Sequence, residues 1–194
     1  MWSNLCKKST LVLLIFLLMN LSGCQQIRNY HQDMRDFVEH LSAYAKNADT
    51  NFLVIPQNGL ELLTINGSSD GNISIAYIAA IDGVGLEELW YGYTGDNIPT
   101  PEADTQYLLR FLNIAQTYNF SVLVTDYCWT HSYVNDSYAK NAQRGYLSFA
   151  ADHRELDDIP MYPSNPVHEN ANNVSQLRDA KNFLYLLNSR LFPN

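Results

Sequence analysis

The spacing of apolar residues predicts four helices between residues 33 and 190. The first ends near Lys46, and its apolar positions recur at intervals of three and four. Its predicted buried face comprises Met34, Phe37, Val38, Leu41, Tyr44 and Ala45. The second begins at Thr100-Pro101, with Thr100 as N-cap. Its predicted buried face comprises Tyr107, Leu108, Phe111, Leu112, Ala115 and Tyr118. A weaker helical pattern covers residues 134–144. The last helix is marked by Leu177, Ala180, Phe183, Leu184 and Leu187.

Four short apolar runs between these helices predict β-strands. They cover residues 52–55, 77–84, 121–125 and 146–150. Strands that alternate with helical or loop segments are typical of βα units around a parallel sheet. We therefore predict an α/β fold with a parallel sheet.

Length and charge narrow the function classes. A chain of 194 residues corresponds to about one domain. A complete (β/α)8 barrel typically needs about 250 residues, so any barrel here is partial. The net charge of −8 repels phosphate groups, so we expect no nucleic-acid partner.

The first 24 residues have the pattern of a targeting segment. Lys7 and Lys8 precede an apolar run at residues 11–19, which is too short to span a bilayer. Residues 21–24, Leu-Ser-Gly-Cys, resemble a lipobox, in which Cys24 would be lipidated. The alternative is an ordinary signal peptide with a chance cysteine.

This pattern predicts the domain organisation and the location. Residues 1–23 form a lipoprotein signal peptide, residues 24–32 a lipidated tether, and residues 33–190 the folded domain. We expect the protein in the cell envelope, at the outer membrane or on its periplasmic or extracellular face.

Polar residues follow each predicted strand, and the carboxyl ends of parallel strands meet at one edge of a sheet. These residues are Gln57-Asn58, Glu87-Glu88, Asp126-Tyr127 and Asp152-His153. Aromatic residues accompany them, namely Trp90, Tyr91, Tyr93, Tyr127 and Trp129. Carboxylates beside aromatic faces are suited to sugar rings; the alternative is that the aromatic residues pack in the core.

Other signals are weaker. The pair Cys128-x-x-His131 falls far short of a four-ligand zinc site. The sequence contains neither a nucleophile elbow nor a glycine-rich phosphate loop. We therefore expect no cofactor and no metal.

Three segments in order carry a family resemblance. Residues 52–59, 80–93 and 122–128 resemble the endo-α-1,4-polygalactosaminidase-like proteins, glycoside hydrolases of family 114 with a TIM-barrel fold. Residues 145–156 continue the likeness, which covers about residues 29–190.

The resemblance implies a partial (β/α)8 TIM barrel with about four βα units, strands five to eight. It implies action on an amino-sugar polysaccharide of the galactosaminogalactan type. Glu87 matches the second acid of the family, as a catalytic acid or base, whereas the segment with the fourth-strand aspartate has no counterpart here. The expected sugar-binding residues are Asn58, Tyr91, Asp126, Tyr127, Trp129 and Asp152.

The implied partners are the polysaccharide, the membrane through the anchor, and either a complementary half-barrel chain or a second copy. The alternative function is a non-catalytic carbohydrate-binding or relic lipoprotein.

The lipobox makes a direct prediction. Cells grown with a fatty-acid analogue should tag the wild-type protein, and Cys24→Ala should abolish the tag because the acceptor thiol is gone. Equal tagging of both proteins would contradict lipidation at Cys24.

Overall fold

The computed structural model describes residues 28–165 and 167–187. The predicted signal peptide, Cys24 and most of the tether lie outside these residues. The helices are α1 (Tyr30–Ala48), α2 (Ile75–Ala80), α3 (Glu102–Thr117) and α4 (His131–Gln143). The strands are β1 (Gly83–Glu87), β2 (Tyr91–Gly92), β3 (Gly95–Pro99), β4 (Ser121–Tyr127) and β5 (Leu147–Ala151). Short 3-10 turns occur at Leu60–Leu63 and Leu177–Asp179.

The central sheet is parallel, in the order β1-β4-β5. Gly83 pairs with Ser121, and Leu123 pairs with Leu147. Helix α3 connects β1 to β4, and α4 connects β4 to β5, which confirms the α/β prediction. A small antiparallel hairpin, β2–β3, lies in the chain between β1 and α3 and was not predicted.

The main core forms where α3 packs with β1 and β4. Phe111, Leu112 and Ala115 of α3 are fully buried, as predicted. They share one apolar cluster with Val122 and Val124 of β4. Tyr107 and Tyr118 were also predicted to be buried, but both are exposed at the margin of α3. None of the helices in the described part of the chain is long and apolar enough to cross a membrane.

Residues 52–55 were predicted as a regular strand, and the structure corrects this. Residues 54–58 run parallel to β1 and make three backbone hydrogen bonds of 2.8 Å. Asp82 N donates to the Val54 carbonyl, Gly85 N donates to the Pro56 carbonyl, and Asn58 N donates to the Gly85 carbonyl. A regular ladder needs an N–H at residue 56, and proline has none. The segment therefore pairs with β1 only irregularly.

Helix α1 is present as predicted, but most of its predicted buried face, all except Val38 and Ala45, is exposed. Met34, Phe37, Leu41 and Tyr44 were expected in the core and are instead 47–79% exposed. Its buried positions are Arg35, Val38 and Ser42.

Polar side chains explain this orientation of α1. Arg35 Nη1 donates to the Thr64 carbonyl at 3.0 Å, and its Nη2 donates to the Ile65 carbonyl at 3.2 Å. Ser42 Oγ and Lys46 Nζ both donate to the Ala80 carbonyl. Carbonyl groups that are removed from water need hydrogen-bond donors. The polar side of α1 supplies these donors to the carbonyls of Thr64, Ile65 and Ala80.

Two predicted boundaries change near the first strand. The apolar run at residues 77–84 divides into helix α2 and the start of β1, because the chain turns at Ile81 and Asp82. Thr100 is not the N-cap of α3, since its hydroxyl donates to the Glu88 carbonyl at 2.8 Å. Pro101 takes the capping position instead.

The predicted last helix is wrong for the described residues up to 187. Only the turn Leu177–Asp179 is helical there. Phe183 and Tyr185 pack two residues apart against the cluster that contains Phe149. Leu187 N donates to the Leu156 carbonyl at 2.9 Å. Packing at every second residue holds this segment extended.

Arg35 provides a stability test. Arg35→Met keeps an unbranched apolar stem but removes the donors to Thr64 and Ile65. Leaving buried carbonyl groups without donors should lower the free energy of unfolding by about 1–3 kcal/mol. Urea denaturation measures this, with His40→Gln as the control because His40 is exposed on the same helix. An unchanged midpoint for Arg35→Met would show that the buried guanidinium does not hold α1 in place.

Candidate functional site

Asn58 and Glu87 meet at the carboxyl edge of the sheet, as predicted. Asn58 Nδ2 donates to Glu87 Oε2 at 3.3 Å, and Glu87 N donates to Asn58 Oδ1 at 3.0 Å. Asn58 has φ 60° and Gly59 has φ 65°. Asparagine and glycine tolerate this left-handed conformation, which lets the chain turn sharply after residue 57. The turn thus fixes the Asn58 amide against the end of β1.

Tyr127 approaches Glu87 from the neighbouring strand β4. Its ring is buried, and its side chain lies close enough to the Glu87 carboxylate to feel its charge. Burial and the charge of Glu87 raise the pKa of Tyr127 above its ordinary value. The phenol therefore stays protonated beside Glu87. The Asn58 amide orients this half-buried carboxylate, and the Tyr127 phenol flanks it.

A cavity of about 240 Å³ opens beside Glu87. Its charged lining residues are Glu61, Glu87, Glu88 and Asp104. Tyr93 and Tyr107 add aromatic surface, and the Tyr107 hydroxyl donates to Glu61 Oε1 at 2.9 Å. None of the described residues that line the cavity is basic. The cavity therefore favours a ligand with hydroxyl groups or a positive charge.

Glu88 lines the same cavity as Glu87, although neighbouring residues of a regular strand face opposite sides. It has φ 67° and has already left the strand, so the alternation no longer applies. Its carboxylate forms an ion pair with Arg154 Nη1. The two glutamates therefore differ in their partners, not in the face that they occupy.

Arg154 is a site residue that the sequence reasoning missed. Its Nε forms an ion pair with Asp96 at 2.5 Å, and its Nη2 donates to the Gly92 carbonyl at 2.6 Å. The guanidinium also lies 4.6 Å from the centre of the Tyr127 ring. It thereby ties the loop after β5 to the hairpin β2–β3. A single cation directly after a strand end, among acidic neighbours, was the available signal.

Asp126 and Tyr91 were expected to bind sugar, and the structure places both in the interior. Asp126 is fully buried and accepts hydrogen bonds at Oδ1 from Trp90 N (2.9 Å) and Tyr91 N (3.2 Å). Its Oδ2 accepts one from Ser137 Oγ at 2.6 Å. The Tyr91 hydroxyl donates to Asp136 at 2.7 Å. Both side chains hold the chain after Glu88 and do not line the cavity.

Burial dominates the titration of Asp126 and raises its pKa to about 6, against the donors Ser137, Trp90 and Tyr91, which favour the charged form. Asp126 therefore changes its protonation state inside the core, and its carboxylate does not reach the cavity.

The remaining predicted sugar-binding residues lie outside the cavity lining. Trp129 is half exposed at the start of α4, and its backbone N–H donates to Asn97 Oδ1 at 3.1 Å. Asp152 lies 2.8 Å from His153 Nδ1. His153 Nε2 lies 2.6 Å from Asp157, and the bond to Asp157 raises the pKa of His153.

Two places in the fold carry side chains of the types that bind metals. Asp152, His153 and Asp158 lie close enough together to hold a cation. Both ring nitrogens of His153 are already bonded to carboxylates, the arrangement of an imidazolium, so we assign no metal there. Cys128 is buried, which raises its pKa to about 12, and a protonated thiol is a poor ligand. The His131 ring stacks on Tyr162 at 3.7 Å.

No protein-family model matches this chain, and no curated protein matches it. The polygalactosaminidase-like assignment therefore stays a prediction from the motifs.

The raised pKa of Asp126 predicts how stability depends on pH. The folded state holds this proton up to about pH 6, whereas the unfolded chain releases it near the ordinary aspartate pKa of 3.8. The folded state therefore binds more protons between these values, and the contribution of Asp126 to stability falls as pH rises from about 4 to 6. Asp126→Asn should flatten this part of the curve, since the amide does not ionise.

Thermal or urea unfolding between pH 4 and 7 measures the effect. Asp136→Asn is the control, because Asp136 has a lowered pKa and Asp136→Asn should leave the slope between pH 4 and 6 in place. An identical slope in Asp126→Asn and the wild type would contradict the prediction.

Proposed function

We propose that this protein is a lipid-anchored glycoside hydrolase-like protein that acts on an amino-sugar polysaccharide of the galactosaminogalactan type. Glu87 serves as its acid or base. One observation carries the proposal: Glu87 is a half-buried carboxylate at a strand end, oriented by Asn58 and flanked by Tyr127 beside an acidic cavity.

The environment of Glu87 fits proton transfer to a glycosidic oxygen. General acid–base catalysis needs a carboxyl group held within hydrogen-bond reach of the reacting oxygen. Asn58 bonds this carboxylate and Tyr127 flanks it, so its position is set before a ligand arrives. The cavity beside it gives a sugar access to the same group.

The charge of the cavity supports an amino sugar as the ligand. A free amino sugar carries an ammonium group at neutral pH, and four carboxylates line the cavity. Tyr93 and Tyr107 are both partly exposed there, so their rings offer apolar faces to the C–H groups of a sugar. An N-acetylated sugar lacks the charge and gains only hydrogen bonds from the carboxylates, without the ionic attraction.

The order of the parallel strands supports a partial barrel. Residues 54–58, β1, β4 and β5 lie side by side in the same order as in the sequence. Doubly wound sheets reverse their order at a switch point, whereas barrels continue in one direction. We propose that these four segments are strands five to eight of a (β/α)8 barrel.

A partial barrel implies a partner. The outer sides of residues 54–58 and of β5 are the two edges of the described sheet. Unpaired edges accept strands of other chains. We propose that a complementary half-barrel chain or a second copy covers them, and that lipidated Cys24 holds the protein in the cell envelope.

A second candidate function is carbohydrate binding without catalysis. Glycosidases use two carboxylates across the scissile bond. Glu88 is occupied by Arg154 and Asp126 is buried, so neither is available as the partner of Glu87. In this second function the cavity still binds the carbohydrate, but no glycosidic bond is hydrolysed.

Glu87 tests the proposal. Glu87→Gln should reduce hydrolysis of a galactosamine-rich polysaccharide by about 10²–10⁴-fold, because the amide cannot transfer the proton. Glu88→Gln is the matched control in the same cavity, and it should retain activity because Arg154 already holds that carboxylate. The assay uses the full chain alone and with the other half-barrel supplied by a relative.

The outcomes separate the two functions. Binding of the free amino-sugar oligosaccharide without hydrolysis under either condition would select the non-catalytic function. Loss of activity in Glu88→Gln but not in Glu87→Gln would show that Glu88, and not Glu87, is the catalytic acid or base. Equal binding of free and N-acetylated oligosaccharides would contradict the electrostatic argument.

A further inference from the structure

The outward face of α1 is a line of large apolar side chains. Met34, Phe37, Leu41 and Tyr44 follow one another at intervals of three and four, and each is about half exposed or more. We call these four residues the α1 stripe. Soluble monomers rarely leave such a continuous apolar surface in water.

The exposure of the α1 stripe does not result from a loosely held helix. The opposite side of α1 is anchored by buried polar groups, since Arg35 bonds two loop carbonyls and Ser42 bonds the Ala80 carbonyl. Rotating the stripe inward would break these bonds. The fold therefore fixes the apolar side of α1 outward, which is the reverse of an ordinary surface helix.

The length of chain between Cys24 and α1 limits what can lie against the stripe. Helix α1 begins at Tyr30, six residues after Cys24. Six residues span at most about 20 Å even when fully extended. An acyl group on Cys24 therefore keeps the start of α1 close to the lipid headgroups. The stripe extends over about 15 Å of the helix, within reach of the same surface.

We propose that α1 lies flat on the membrane surface, with the α1 stripe inserted among the lipid headgroups. This placement rests on the lipid anchor of the proposed function. Interfacial helices bury one apolar face in the headgroup and acyl boundary, and aromatic residues such as Phe37 and Tyr44 favour that depth. The acyl chains supply the affinity, and α1 sets the orientation of the domain.

The acidic residues of α1 show that electrostatic attraction does not drive its contact with the membrane. Asp33, Asp36 and Glu39 lie on the same helix as the stripe. Their negative charge gives no attraction to anionic lipids, so insertion depends on apolar burial and on the anchor.

A depth measurement on the full, processed chain tests the placement. Phe37→Cys receives an environment-sensitive fluorophore, and the lipidated protein is reconstituted into vesicles of phosphatidylethanolamine and phosphatidylglycerol. The native Cys128 is buried and Cys24 is acylated, so the label reports position 37. Ala43→Cys is the matched control, because Ala43 is exposed on α1 outside the stripe.

The probe at position 37 should shift its emission to the blue on reconstitution and be quenched by spin-labelled lipids. The probe at position 43 should do neither. Equal behaviour of the two probes would overturn the placement. A probe at position 37 that is already shielded in detergent and does not respond to lipid quencher would overturn it in favour of a second copy or another protein.

The fatty-acid tag on Cys24 is measured on the same sample. A tagged protein without quenching at position 37 overturns only the placement of α1. An untagged protein contradicts the anchor of the proposed function and the placement together.

Discussion

The buried carboxylate of Asp126 determines where the chain goes after the candidate acid. It accepts the backbone N–H groups of Trp90 and Tyr91, directly after the two glutamates. The Trp90 indole then donates to Asn141 of α4, which also bonds Ser148 of β5. A single buried network thereby connects β4, α4, β5 and the start of the hairpin. Because unsatisfied groups in such a network are costly, the loop after Glu88 has little freedom.

Three carboxylates near the same strand ends have different environments. Glu87 is bonded by a neutral amide, is flanked by a neutral phenol and faces a cavity. Glu88 is neutralised by a guanidinium. Asp126 is sealed in the core and bonded by backbone and hydroxyl donors. Only the first environment leaves a carboxylate with both an orienting shell and access to a ligand, which is why the functional argument rests on Glu87.

The sequence predicted β4, β5 and α3 well, because these elements carry strong apolar patterns. It placed Asn58, Glu87 and Tyr127 together correctly, since the carboxyl ends of parallel strands meet at one edge. It failed where polar contacts overrode the apolar pattern. Arg35 bonds two backbone carbonyl groups and thereby holds the apolar side of α1 outward. The apolar periodicity of the sequence gives no sign of these carbonyl groups. The interior position of Asp126 could not be predicted either. A carboxylate that follows a strand gives the same sequence pattern whether its side chain faces a ligand or the core.

The irregular pairing at Pro56 gives the two partners of Glu87 unequal local stability. Tyr127 belongs to β4, the middle strand of the sheet, which is paired along both sides by β1 and β5. Asn58 belongs to a segment held to β1 by three backbone hydrogen bonds with a gap at the proline. Sub-global opening begins at such weakly paired segments. Amide hydrogen exchange will therefore be faster around Asn58 than around Tyr127, and the side of the cavity formed by Asn58 is the side that yields to an entering ligand.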